Sequence, residues 1–187
     1  VVGNPPYVNI RSIPKSKQEV YEELYDSAYW RYDLYVLFLE RGLEWLTENG
    51  NLGYITSNKF TRSRYGEKIR KIIHEDYSLK QYIEFGDVDI FEDATNFASI
   101  LIIDKDKNRT HVPYAKVHKG GKDIFQQIRN QIGTGEVLTE SLELSDYPLS
   151  ELDEGGWRFT PKKVRQAAAS IDTESRSKIG DVSIGVR

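Results

Sequence analysis

The sequence predicts an α/β domain with a largely parallel sheet, and three observations carry that prediction. Apolar runs of strand length lie at 51–56, 79–85 and 97–104. Amphipathic segments at 33–50 and 63–76 alternate with them, and strand alternating with helix packs as a sheet covered by helices. The chain opens on Val1-Val2-Gly3 and then Asn4-Pro5-Pro6-Tyr7, the ending of a buried strand. Pro5 and Pro6 have no backbone N–H and a fixed φ, so they cannot continue a central strand. Asn4 precedes a proline, which disfavours helix. Residues 3–6 thus form a rigid strand-end turn that delivers an amide and a phenol to one place. With no starting Met, the chain reads as part of something longer.

The remaining elements follow in order. Residues 16–30 are helix-prone, with Val20, Leu24 and Tyr25 at helical spacing. Residues 33–50 are the strongest helix: Leu34, Leu37, Phe38, Gly42, Trp45 and Leu46 make an apolar stripe, Asp33 caps the start, and Asn49-Gly50 stop it. Residues 63–76 turn Ile69, Ile72 and Ile73 inward and their bases outward. The strand at 97–104 is apolar through its middle, the pattern of a strand buried on both faces. A peripheral strand at 110–117 and a short helix at 122–132 follow. Residues 133–156 are polar and turn-rich and read as an exposed connection. Residues 160–171 suit a helix with Pro161 in its first turn, and 178–187 read as the first strand and turn of another domain.

At 187 residues, 39% hydrophobic and 29% charged, the composition is that of a soluble globular domain with one core. No apolar run is long enough to span a bilayer and no signal-peptide pattern is present. The absence of Cys excludes disulfides and thiolate metal sites and points to the cytoplasm. His74, His111 and His118 lack the local spacing of a metal site. The net charge of −3 hides an uneven distribution. Lys59, Arg62, Arg64, Lys68, Arg70 and Lys71 face only Glu67 over one stretch, and Arg109, Lys116 and Lys119 mark a second. Acids gather at Glu84, Asp87, Asp89, Glu92 and Asp93. Either basic stretch alone reads as a solvated face. There is no internal repeat, low-complexity tract or Walker-type phosphate loop.

Ligands of open α/β sheets sit at the carboxyl ends of the strands, where the Asn-Pro-Pro-Tyr turn lies. A strand-end Asn-Pro by itself is only a turn; the four residues together suit an exocyclic amine on a planar base. Adenine's amino nitrogen is a poor nucleophile because its lone pair is delocalised into the ring. If the Asn4 side-chain oxygen and the Pro5 carbonyl each accept one N–H bond, the nitrogen is drawn toward tetrahedral geometry and its lone pair is freed for an electrophilic methyl. Acceptors that fit the developing positive nitrogen better than the flat ground state lower the barrier. Tyr7 stacks on the base and holds it in line. No covalent enzyme intermediate is needed.

In these residues the sequence resembles the adenine-specific (N6) DNA methyltransferases of the gamma class, in particular the methylase part of type IIG restriction–modification enzymes. Asn4, Pro5, Pro6 and Tyr7 match their catalytic motif, 33–60 match the helix–strand segment that follows it, and 89–103 match the later segment in which a Phe contacts the extruded adenine, here Phe91. Residues 157–187 are similar to the lead-in to their target-recognition domain. The resemblance implies the carboxyl-terminal half of a Rossmann-like, S-adenosylmethionine-dependent sheet, mostly parallel with an antiparallel last strand. It implies a catalytic half over 1–120, a connecting segment over 121–177 and the start of a recognition domain at 178–187. It further implies methyl transfer from S-adenosylmethionine to a flipped adenine in double-stranded DNA, with Lys59, Arg62 and Arg64 near the phosphates, in a prokaryotic cytoplasm. The family's main donor-binding elements, a Gly-rich turn and a strand-end acid, precede the motif and are not in residues 1–187, so these residues alone should bind the donor poorly. Asp33 and Leu34 can contribute at most to the adenosyl rim. Some RNA and protein-glutamine methyltransferases share Asn-Pro-Pro-Tyr, and a non-catalytic DNA-binding fragment is the third reading.

Overall fold

A computed structural model of the chain describes residues 1–86, 88, 97–121, 123–160 and 164. Its strands are β1 (Val2–Gly3), β2 (Leu52–Ser57), β3 (Ser78–Glu84), β4 (Ala98–Asp104), β5 (His111–Val117), β6 (Val137–Leu138) and β7 (Leu142–Pro148). The helices are α1 (Lys15–Leu24), α2 (Tyr35–Glu44), α3 (Glu67–Asp76) and α4 (Ile124–Gln131). The strands form one seven-stranded sheet in the order β1-β2-β4-β3-β5-β7-β6. β1 is parallel to β2 and β3 to β5, whereas β4 is antiparallel to both its neighbours and β7 to both of its own. Five strands therefore run one way, with β4 and β7 reversed, which is the mostly parallel α/β sheet the sequence predicts. The antiparallel strand β4 sits inside the sheet, between β2 and β3, with Leu101 and Ile103 fully buried.

Alternation of side chains along the strands sets the layers. Leu79, Tyr82, Leu101, Ile103, Val112 and Tyr114 point to the face packed by α2 and α3, through Leu39, Leu43, Ile69 and Ile73. Ile83, Phe85, Ala98, Ala115, Val117, Leu142 and Leu144 point to the opposite face, covered by Ile124 and Ile128 of α4. Because β1, β2, β3 and β5 run in one direction, their carboxyl ends share one edge of the sheet.

Four expectations need correction. α1 stops at Leu24, and Tyr25 is extended at φ −134°, because the buried Glu40 carboxylate accepts from the backbone N–H groups of Asp26 and Ser27 at 2.9 and 2.8 Å and draws that turn onto α2. α2 buries Tyr35, Val36, Leu37, Leu39, Glu40, Gly42 and Leu43, so Leu37 and Gly42 of the expected stripe are inward, as is Leu46 just beyond the helix, while Phe38 and Trp45 are exposed. On α3, Ile69 and Ile73 point inward as expected, but Arg70 is buried rather than outward. Residues 133–156 are no exposed connection: they supply β6 and β7, with Leu142, Leu144 and Tyr147 buried. The chain then returns to the α3 face, where Trp157 packs edge-on against Phe60 at 5.4 Å and Phe159 stacks on Tyr82 and Tyr114 at 4.7 and 4.4 Å. The expected helix at 160–171 falls almost wholly outside the described residues, and 178–187 wholly so. Among the described residues no helix is long and apolar enough to cross a membrane.

Arg70 ties the fold to the basic loop after β2. Its guanidinium donates to the carbonyls of Phe60, Ser63 and Glu154, and burial lowers its pKa. Removing it leaves three carbonyls without their donor, so Arg70→Ala should lower unfolding stability by about 2–4 kcal/mol in a urea titration. Arg70→Lys should recover only part of this, because an ammonium cannot reproduce the planar fork. An Arg70→Ala protein as stable as its parent would contradict this role.

Candidate active site

The candidate site is built outward from the short strand β1. Gly3 lies opposite Tyr54 of β2, and a Cβ there would come within 3.0 Å of the Tyr54 ring, so the strand needs glycine to lie this close. Asn4 leaves the carboxyl end exposed to solvent, whereas Pro5 is buried. Among the described residues no donor reaches either the Asn4 side-chain oxygen or the Pro5 carbonyl. Two consecutive residues thus each carry an acceptor without a partner among the described residues.

The chain then folds back on itself. Leu34 N donates to Val8 O at 2.8 Å, Ile10 N donates to Tyr32 O at 3.0 Å, and Asn9 bridges Asp33 between them. Asp33 was expected to cap α2, yet Leu34 occupies the cap without a side-chain bond. The Asp33 carboxylate instead accepts from Asn9 Nδ2 at 2.8 Å and from the Tyr65 hydroxyl at 3.1 Å. The Tyr35 hydroxyl bonds Tyr65 at 2.8 Å and accepts from Phe60 N at 3.0 Å. Since the Tyr65 proton goes to Asp33, the chain of donation runs from Phe60 N–H through Tyr35 and Tyr65 to the carboxylate. Tyr7, 36% exposed, leans edge-on against the Tyr35 ring at 6.0 Å. Burial raises the pKa of Tyr7, raises Tyr65 to about 12, and raises Tyr35 well above the usual phenol value. All three are neutral phenols at physiological pH.

The basic residues after β2 divide into two groups. Lys59 and Arg62 line a cavity of about 670 Å³ at the carboxyl ends of β2, β3 and β5, together with Tyr65, Glu84, Phe97 and Lys116. Tyr65 connects this cavity to the turn through Tyr35. Arg64 does not line it: Arg64 and Arg31 lie over the ring of Trp30 at 5.5 and 5.2 Å. Trp30 is 51% exposed and takes a left-handed φ of 61°. Lys68 sits over Tyr29 at 5.9 Å, which extends this aromatic–basic patch. The loop depends on Gly66, where a Cβ would overlap the Phe60 carbonyl. Phe91 lies outside the described residues. Sequence reading missed Tyr35, Tyr65, Asn58, Glu84 and Phe97. It also passed over Trp30, although aromatic and basic residues interleave in Tyr29-Trp30-Arg31-Tyr32.

Known restriction–modification methylases are similar to this chain in sequence and in fold. Residues 1–91 match the Eco57I restriction-modification methylase family. The chain is 39% identical over 184 residues to the type II methyltransferase M.BstVI of Geobacillus stearothermophilus, across 92% of this chain and 32% of that protein. It is 31% identical over 165 residues to the type II restriction enzyme and methyltransferase RM.Eco57I of Escherichia coli, across 87% of this chain and 15% of that one. The chain thus spans a third or less of these curated relatives. Among solved structures, the type IIG restriction endonuclease BpuSI superposes with a TM-score of 0.61 at 16% identity, over 93% of this chain and 22% of that one. A type I methyltransferase subunit from Streptococcus thermophilus gives 0.56 at 17% identity, over 78% and 34%. Both share the fold.

Folding lifts the Tyr65 phenol from 10 to about 12. The stabilisation that this shift represents is complete below pH 10 and is lost as pH rises toward 12. Tyr35→Phe leaves the Phe60 amide and Tyr65 without their partner and should cost about 1–3 kcal/mol. Denaturant titrations at neutral and alkaline pH check both, and a Tyr35→Phe protein of unchanged stability would contradict the relay.

Proposed function

We propose that the protein contributes the acceptor side of a site-specific DNA adenine-N6 methyltransferase of a restriction–modification system, with S-adenosylmethionine as methyl donor. The observation that carries this reading is that Asn4 Oδ1 and Pro5 O, in the turn that also carries the partly exposed Tyr7, have no partner among the described residues. Each would accept one N–H of the target amine. As the N–C bond to the methyl group forms and its bond to sulfur breaks, positive charge grows on N6, and the two oxygens stabilise it. The new amine then loses one proton to solvent. Tyr7, braced by Tyr35, stacks on the base. The adenine has to leave the duplex to reach the turn, because its amine is otherwise paired.

Phe91 is proposed to contact the extruded ring from the other side. Lys59 and Arg62 would meet DNA phosphates, supplying affinity and salt dependence rather than sequence choice. Arg64 would act together with Trp30. For the donor, the two residues placed at its rim fit poorly. Asp33 commits its carboxylate oxygens to Asn9 and Tyr65, and Leu34 packs against the core. Binding of the methyl donor is accordingly assigned to none of the described residues.

Asn4→Ala in the full-length protein should reduce methyl incorporation into DNA adenine by about 100-fold or more, the scale for loss of one transition-state hydrogen bond. Circular dichroism and DNA affinity should be near parental, since Asn4 is exposed and its side chain holds none of the described residues. Unchanged methylation by Asn4→Ala would contradict the assignment, and methylation of cytosine instead of adenine would contradict the substrate.

A further inference from the structure

Beyond the turn, a second cluster at the sheet edge is organised as tightly and serves no role in the chemistry above. Asn58, the first residue after β2, is pinned on three sides. Its N–H donates to Phe97 O at 2.7 Å, its carbonyl accepts from Thr61 Oγ1 at 2.7 Å, and its Nδ2 donates to Glu84 Oε1 at 2.7 Å. A carboxylate only accepts, so this last bond fixes which way the amide faces. Glu84 is itself 7% exposed and is held from behind by the Tyr114 hydroxyl at 2.8 Å. What remains of Asn58 is Oδ1 and the second N–H, an adjacent acceptor and donor without a partner among the described residues. Both belong to a residue that lines the 670 Å³ cavity.

The same cavity is walled by Phe97. Phe97 is 44% exposed, and its backbone φ of 96° is one that an aromatic residue rarely adopts. Lys59 lies 5.8 Å from the ring centroid. Lys59, Arg62 and Lys116 all line the cavity, and none is paired with a carboxylate among the described residues. A flat apolar face, one rigid amide and three cations complement a planar base carried on phosphate. An amide offering donor and acceptor side by side matches the N7 acceptor and N6 amino group of adenine.

We infer that this cavity is a second nucleobase subsite: Phe97 stacks an adenine of the DNA strand, Asn58 reads its N6/N7 edge, and Glu84 is the positioning residue that sets Asn58. The inference rests on the DNA-modifying reading of the turn but concerns a different base. None of the turn residues lines the cavity.

Fluorescence anisotropy with labelled oligo(dA), oligo(dC) and oligo(dT) tests it without requiring methyl transfer. The parent chain should bind oligo(dA) about 10-fold more tightly than the other two, the lower range for a bidentate base contact. Asn58→Ala should abolish that preference, and oligomers of 7-deazaadenine, which lack N7, should lose it on the parent. Phe97→Ala should weaken all three oligomers by about 10-fold through lost stacking, and Lys116→Ala should weaken them evenly while flattening the salt dependence. Glu84→Ala should behave as Asn58→Ala does, with no further loss in the double variant. Glu84→Gln, which still offers Asn58 an acceptor, should retain the oligo(dA) preference with the parental circular dichroism. The preference should persist in Asn4→Ala, which separates this subsite from the turn. Free dAMP should compete at least 10-fold less well than the oligomer, because it lacks the neighbouring phosphates. No preference for oligo(dA), a preference that survives Asn58→Ala or 7-deazaadenine, its loss in Asn4→Ala alone, or dAMP binding as tightly as the oligomer would each overturn the inference.

Discussion

Two consecutive prolines at a strand end have carbonyls to offer and no amide protons to give. This constraint shapes the site edge of the molecule. In an ordinary turn the backbone N–H groups satisfy nearby oxygens; in Asn4-Pro5-Pro6-Tyr7 the two central residues supply none, and among the described residues the Asn4 side-chain oxygen and the Pro5 carbonyl have no donor. Such a turn has few bonds with which to hold itself in place, so its position has to be set by its surroundings. Gly3 pressed against Tyr54 sets one side. The bonds from 8–10 to 32–34 set the other.

The surroundings are connected rather than merely adjacent. Asp33 receives Asn9 from the turn side and Tyr65 from the loop after β2, and Tyr35 joins Tyr65 to the Phe60 backbone. Each bond contributes on the order of 1 kcal/mol, but buried hydrogen bonds that share donors and acceptors reinforce one another. Arg70 holds the same loop from below, through carbonyls of Phe60, Ser63 and Glu154. The loop carrying Lys59 and Arg62 and the turn carrying Asn4 are therefore parts of one hydrogen-bonded assembly. On the proposed function, this is what keeps the phosphate contacts and the base contacts in register.

Much of the fold was legible in the sequence because its signals are local. Apolar runs marked β2, β3 and β4, and the Ile69/Ile73 spacing marked α3. The turn was legible because proline acts through its own covalent geometry. The buried face of α2 was misread only at Phe38 and Trp45, which match the helical period as well as the buried Leu37, Gly42 and Leu46 do; packing against β2 decides between them. β7 was missed because its inward leucines alternate with Glu143, Ser145 and Asp146, which read as loop when the partner strand β5 is unknown. Arg70, Asp33 and Glu84 were misassigned or overlooked for one reason. A charged group held by hydrogen bonds within the fold is specified by partners far along the chain, 84 residues away for the Arg70–Glu154 contact, and no local pattern announces it.

The most direct measurement of the central claim is a crystal structure of the full-length protein on cognate DNA with a non-reactive donor analogue, read at the amino nitrogen of the target base. The account predicts an extruded adenine with N6 at hydrogen-bond distance, about 2.7–3.2 Å, from both Asn4 Oδ1 and Pro5 O, its ring against Tyr7. An adenine left in the duplex, or one whose amine is met by other groups while Asn4 and Pro5 face only water, would contradict it.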